Sequence, residues 1–162
     1  MGGDVDVLER TTPVLRSFAK TIHHVGDHGM GYLTKLLINL LWFGHATLTT
    51  EALLLAQRHG QAPHRMREVL LGSAGDSAFV THHLPALLDG NYLNDFGLDR
   101  CVEELESIEH SADRAGTPHP LTSVVADLHR LALQHYGAVD GELMASAWLE
   151  EQAGARLHSE ES

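Results

Sequence analysis

The stretch that most constrains this chain opens at Gly29 and runs to Arg58-His59, with Gly31 before the helix start, no proline inside it and Gly60 directly behind. Glycine takes the left-handed conformation that ends helices, so one long helix stopping at Gly60 is the expected structure. At about 1.5 Å per residue, about 30 residues span about 45 Å, more than the width of a small domain. Its first half is apolar on nearly every side, through Leu36, Leu37, Ile38, Leu40, Leu41, Trp42 and Phe43. Such a helix is expected to be buried by neighbouring helices. Lys35 and Asn39 interrupt it, four apart and therefore on one face one turn apart, with Trp42 and Ala46 continuing that line. A buried lysine must be paired or deprotonated, whereas one near a helix start can run to water. Lysine is scarce here, two residues against nine arginines, so Lys35 is not a default surface residue.

At 162 residues the chain is long enough for one domain with a real core. No apolar run reaches bilayer length and residues 1–30 lack a signal-peptide pattern, which leaves the cytoplasm as default location and no membrane partner. The formal charge is −11 and no Lys/Arg stripe forms, which argues against nucleic acid. The lone Cys101, on an apolar helix face, excludes an internal disulfide and reads as a small core residue.

Residues 4–18 suit an amphipathic helix, with Val7, Leu8, Val14, Leu15 and Phe18 on one side and Pro13 bending it. Lys20 to Gly26 is β-prone and lacks an evident strand partner. Beyond Pro63 the pattern predicts a short helix near 64–71 and a helix capped by Asp76 or Ser77 that runs to Leu88. A helix near 98–114 follows, with Leu98, Cys101, Val102, Leu105, Ile108 and Ala112 inward and an outer Arg100–Glu104 pair. The connector Gly116-Thr-Pro-His-Pro120 launches a helix with Leu121, Val124, Val125, Leu128, Leu131 and Ala132 inward, ending at Gly137. The last helix covers 141–152, and 154–162 reads as a frayed, flexible tail. The fold class is all-α, a long central helix with packed shorter helices, preceded by a helix–strand remnant.

The thirteen histidines do not make a metal site: His82 and His83 point about 100° apart on a helix, and no His-Glu-x-x-His occurs. Surface and capping roles account for them better. Glu51, in mid-helix, reads as a buried acid or as the partner of a backbone group or an arginine. Gly26-Asp-His-Gly29-Met-Gly31 has the wrong spacing for a dinucleotide fingerprint, although its amides precede a helix and could meet an anion.

Together, His24-Val-Gly-Asp-His-Gly-Met-Gly-Tyr-Leu-Thr-Lys35-Leu-Leu-Ile-Asn39 resembles the interdomain junction of the β-hydroxyacid dehydrogenases. That family includes 3-hydroxyisobutyrate and 6-phosphogluconate dehydrogenases, with imine reductases as relatives. The likeness continues through Glu51-Ala-Leu-Leu-Leu-Ala56, Gly60, Gly72 and the 116–120 connector. It implies the family's all-α C-terminal domain (6-phosphogluconate dehydrogenase-like) over residues 28–153, with residues 1–27 as the last helix and strand of a Rossmann domain. It implies a homodimer through the long helix and a cleft for a small-molecule substrate. Lys35 matches the catalytic proton donor or acceptor, and Asn39 the amide that positions the substrate. Gly31, Trp42, Asp99 and Arg100 are the candidate substrate-binding positions, and no metal is implied. Lysine, rather than the aspartate or tyrosine usual in imine reductases, points to the hydroxyacid branch. Where the family commonly has a lysine–aspartate pair near the nicotinamide, this chain has Asp99-Arg100.

The Rossmann fingerprint and the family's serine–glycine loop are absent from these residues, so no cofactor is expected for this chain alone, and NAD(P) only with a completing Rossmann domain. The chain then reads as a substrate-binding and dimerisation domain, incomplete for redox by itself. The alternatives are a stand-alone, cofactor-free isomerase, lyase or cyclase using Lys35 in acid–base catalysis, and a non-catalytic ligand-binding dimer.

Overall fold

The computed structural model describes residues 1–158. The chain divides into two compact units, Met1–Asn39 and Leu40–Ser162, and among the described residues every regular element is a helix.

In the first unit, α1 (Val5–Leu15) starts at Asp4, whose carboxylate accepts from the Val7 amide, and it buries none of its residues. Val7, Val14 and Phe18, expected to share an apolar side, are exposed. The β-prone segment before Gly26 is not a strand. It is extended chain, and its missing partner is the chain's own start: the Met1 amine donates to the His23 carbonyl at 2.7 Å, the Val25 amide to Met1 at 3.0 Å and the Gly3 amide to Gly26 at 2.9 Å. Three bonds satisfy that backbone locally without extending into a sheet.

The long helix α2 (Met30–Arg58) is continuous over 29 residues. It begins at Met30, so Gly31, expected to precede the helix, lies inside its first turn, and Gly60 follows its end with φ +84°. Its apolar residues are not all buried. In the second unit Phe43, Ala46, Leu53 and Leu54 turn inward, whereas Leu41, Leu48 and Leu55 stay exposed. Glu51 is exposed too, and so is not a buried acid. The neighbouring helices of this chain cover one face only.

That inner face meets α4 (Ala78–His82) and α5 (Leu84–Leu88), where Phe79, Val80, Leu84, Leu87 and Leu88 join Leu53, Leu54 and Leu143 in one core. The single helix expected here is two, because Pro85 has no N–H for the Thr81 carbonyl. Arg67, from α3 (Pro63–Leu70), supplies the missing donors and reaches the Val80 and Thr81 carbonyls at 3.2 Å. Ser77 is the cap, accepting from Val80.

α6 (Leu98–Ala115) buries Leu98, Cys101, Val102, Leu105 and Ile108, the face its spacing predicts. Burial pushes the Cys101 thiol up to about 12, so it stays protonated and inert. Arg100 pairs with Glu103, three residues on. α7 (Pro120–Tyr136) packs on α6, and Arg130 ties the two together through Glu106 and Glu109. The inward face of α7 differs in part from expectation: Ala132 is buried as expected, but Leu121, Val124 and Leu131 are exposed, and Thr122, Ala126 and His129 are buried in their place. α8 (Met144–Ala153) starts later than expected, and beyond it Leu157 inserts into the core. The Leu157 amide donates to buried Glu150 at 2.7 Å, so residues 154–158 are packed rather than frayed. Residues 159–162 of the expected flexible tail lie outside the described residues.

His129 is the exception to surface histidines. Its ring lies 5.0 Å from that of Phe43, and its Nδ1 bonds the Val125 carbonyl at 2.8 Å. A carbonyl only accepts, so Nδ1 carries the proton and the ring is neutral. Burial pushes its pKa down from 6.5 to about 4. Between those values the unfolded chain binds a proton that the folded chain refuses, so this contribution is full above about pH 6.5 and is lost as pH falls toward about 4. The loss is on the order of 3 kcal/mol. Urea unfolding across this range should show it, and His129→Gln should flatten the slope.

Candidate functional site

Two backbones meet at the glycine-rich turn before α2. A Cβ on Gly31 would lie 2.8 Å from the Gly2 nitrogen, and one on Gly2 would lie 2.6 Å from the Asp27 oxygen and the Gly31 nitrogen. Both positions therefore require glycine for steric reasons. Gly31 serves this close approach, the role the structure gives to one sequence-derived candidate. The turn is pinned further by His24 Nε2, 2.7 Å from the Gly3 carbonyl oxygen. A hollow of about 350 Å³ opens beside it, lined by Met1, Gly2, His28, Gly29, Gly31 and Tyr32.

Lys35 is exposed in the second turn of α2, and Asn39 is half-buried one turn further along. The pair belongs to the first unit and is carried on continuous helix, a rigid support for two side chains. His28 and Tyr32 at the hollow were not singled out from sequence, although His28 sits inside the glycine motif that drew attention.

The other three candidates lie in the second unit. Trp42 is half-buried, with edge contacts to Phe43, Phe79 and His83 at 5.5, 5.7 and 5.5 Å, so its indole is part of the packing. Asp99 folds its carboxylate back on Gly97, where an added Cβ would come within 2.4 Å of it. Arg100 is exposed and holds Glu103 at 3.0 Å.

On the second unit an apolar groove of about 330 Å³ runs between α2 and α7, lined by Leu41, Gly44, His45, Leu48 and Glu51 against Leu121, Val124, Val125 and Leu128. Among the described residues no group of three His, Cys, Asp or Glu side chains could hold a metal, and no helix is long and apolar enough to cross a membrane. A dinucleotide is cradled by a strand, a glycine turn and a helix N-terminus. The described residues offer no strand beyond an isolated bridge between Gly97 and Asp140, so they do not form that cradle.

A long helix entered through a glycine turn, carrying a lysine and an amide one turn apart, and followed by shorter helices makes an all-α domain. Solved structures share the fold. The 3-hydroxyisobutyrate dehydrogenase of Salmonella typhimurium superposes with a TM-score of 0.81 at 24% identity, over 91% of this chain and 52% of that one. The Mycobacterium tuberculosis 3-hydroxyisobutyrate dehydrogenase gives 0.80 at 22%, over 91% and 53%. Among sequences, 2-(hydroxymethyl)glutarate dehydrogenase of Eubacterium barkeri is 28% identical over 129 residues, 79% of this chain and 43% of its own length. L-threonate dehydrogenase of Escherichia coli is 29% identical over 128 residues, 78% and 42%. The profile described as the NAD-binding region of NADP-dependent 3-hydroxyisobutyrate dehydrogenase matches residues 29–148, and the chain belongs to that family. It spans less than half the length of these curated relatives.

The close approach at Gly31 yields a test. Gly31→Ala must push backbone against backbone, at a cost of about 1–3 kcal/mol. Hydrogen exchange should quicken at the Gly3 and Val25 amides, while the amides of α6 and α7 keep their protection.

Proposed function

We propose that this chain is the substrate-binding and dimerising helical domain of an NAD(P)-dependent hydroxyacid dehydrogenase, incomplete for redox by itself. The observation that carries this reading is Lys35 exposed with Asn39 one turn on, on an uninterrupted helix entered through the Gly2–Gly31 contact. The names of the relatives, which act on 2-(hydroxymethyl)glutarate and L-threonate, support a small, polar hydroxyacid as substrate.

In this reading the Lys35 amine takes the proton from the substrate hydroxyl during oxidation and returns it during reduction. The Asn39 amide, able both to donate and to accept, fixes the substrate against it. Two groups on adjacent turns of one rigid helix lose little entropy in holding that arrangement. When bound, a nicotinamide would supply the hydride acceptor. The exposed leucines of α2 are the surface through which two copies pair, burying what one chain leaves open.

The test joins the N-terminal half of the E. coli relative ahead of this chain. The chimaera is expected to oxidise L-threonate with a nicotinamide cofactor, and Lys35→Ala to lower kcat/KM by about 10²–10⁴ with an unchanged circular dichroism spectrum. A folded chimaera that stays inactive, or whose activity survives Lys35→Ala, would sink the reading. The 162-residue chain alone should leave its tryptophan fluorescence unquenched by NADPH and NADH.

A further inference from the structure

The outer face of α2 carries a regular seam. Leu41, His45, Leu48, Ala52 and Leu55 follow one another at alternating spacings of four and three residues, and all are exposed. The leucines stand 62%, 66% and 62% accessible. Alternating three–four spacing is the pattern with which a helix packs along a like helix. It is self-complementary, because a second copy brings the same ridge. The charge distribution agrees: in a chain of net −11, α2 carries one acidic residue, Glu51, against Lys35 and Arg58. Two acidic copies therefore meet here with little repulsion.

His45 lies within this seam, between Leu41 and Leu48. Hollows flank it on both sides: the α7 groove of about 330 Å³, and one of about 320 Å³ lined by Leu70, Ala74, Gly75, Asp76 and Ser77. α7 offers His45 no ionisable group, only Leu121, Thr122, Val124, Val125 and Leu128, and α3 offers only Leu70. Two carboxylates line the hollows. Asp76 already accepts from the Gly72 amide at 2.9 Å, the Ser77 amide at 2.7 Å and the Thr81 hydroxyl at 3.2 Å. Glu51 is six residues on, about 9 Å along the helix and roughly 120° around it.

We propose that pairing of two copies along this α2 seam is controlled by the protonation of His45, the seam closing when the imidazole is neutral and loosening when it is charged. The inference rests on the α2 dimer proposed above and adds its regulation. Covering the seam takes His45 out of water. Burying a charged ring without a partner is costly, and a two-fold contact imposes the cost twice. Acidification therefore shifts the equilibrium toward single chains.

Sedimentation equilibrium of the full chain near pH 8 and near pH 5.5 tests this, with circular dichroism confirming the fold at both. The expected result is a dimer whose dissociation constant rises by about ten-fold or more on acidification. His45→Leu should pair tightly at both pH values, and Leu48→Asp should be a single chain at both. An equal dissociation constant at the two pH values, or a pH effect that persists in His45→Leu, overturns the switch while leaving the dimer standing. Single chains under every condition, or a Leu48→Asp variant that still pairs, overturn the α2 dimer and the switch with it.

Discussion

The structure depends on a mismatch in α2 between how much apolar surface the helix carries and how much of it the chain covers. Phe43, Ala46, Leu53 and Leu54 are packed by α4, α5 and the residues around Leu143, while Leu41, Leu48 and Leu55 face outward. Each buried leucine is worth about 1.5–3 kcal/mol, so the inner face anchors the core. The outer face is the kind of exposed apolar surface that marks a contact site. The same helix carries Lys35 and Asn39 in its opening turns, so the proposed chemistry and the proposed pairing both rest on the element that anchors the core.

The interior is more polar than the sequence suggests, and several of its polar groups are paired close by. Thr47 donates to the Phe43 carbonyl at 3.0 Å, and the hydroxyls of Thr50 and Ser146 meet at 2.8 Å. Tyr92 donates to the buried Glu150 carboxylate at 2.7 Å. Burial and that neighbouring carboxylate push the Tyr92 phenol well above its ordinary range. Because an unpaired buried polar group costs about 1–3 kcal/mol, these bonds fix one arrangement of the helices. Glu150 also holds the segment after α8 through Leu157, whose side chain fills the same core as Leu53 and Leu84.

Much of the fold was legible in the residues. The long helix and its Gly60 stop, the α6 face from Leu98 to Ile108 and the Gly116 and Gly137 boundaries follow from spacing and backbone preference alone. The helix break at Pro85 was also written in the sequence, yet it takes Arg67, from an element earlier in the chain, to satisfy the carbonyls there. On α7 hydrophobicity points to the leucine- and valine-rich face, whereas the face the structure buries carries Thr122, Ala126, His129 and Ala132. His129 can turn inward because its Nδ1 finds the Val125 carbonyl, a local bond that a count of apolar residues does not register.

What the sequence by itself determined is the helical class, the position of the long helix and the placing of Lys35 and Asn39 on adjacent turns. These rest on local periodicity and glycine chemistry, which act within a few residues. Only the tertiary structure decided that α2 is covered on one side, that Trp42 is packing, that Gly31 is required by the Gly2 backbone and that Leu157 is a core residue. Those outcomes depend on groups distant in sequence competing for the same space, and pairing at that range is not encoded in any local pattern.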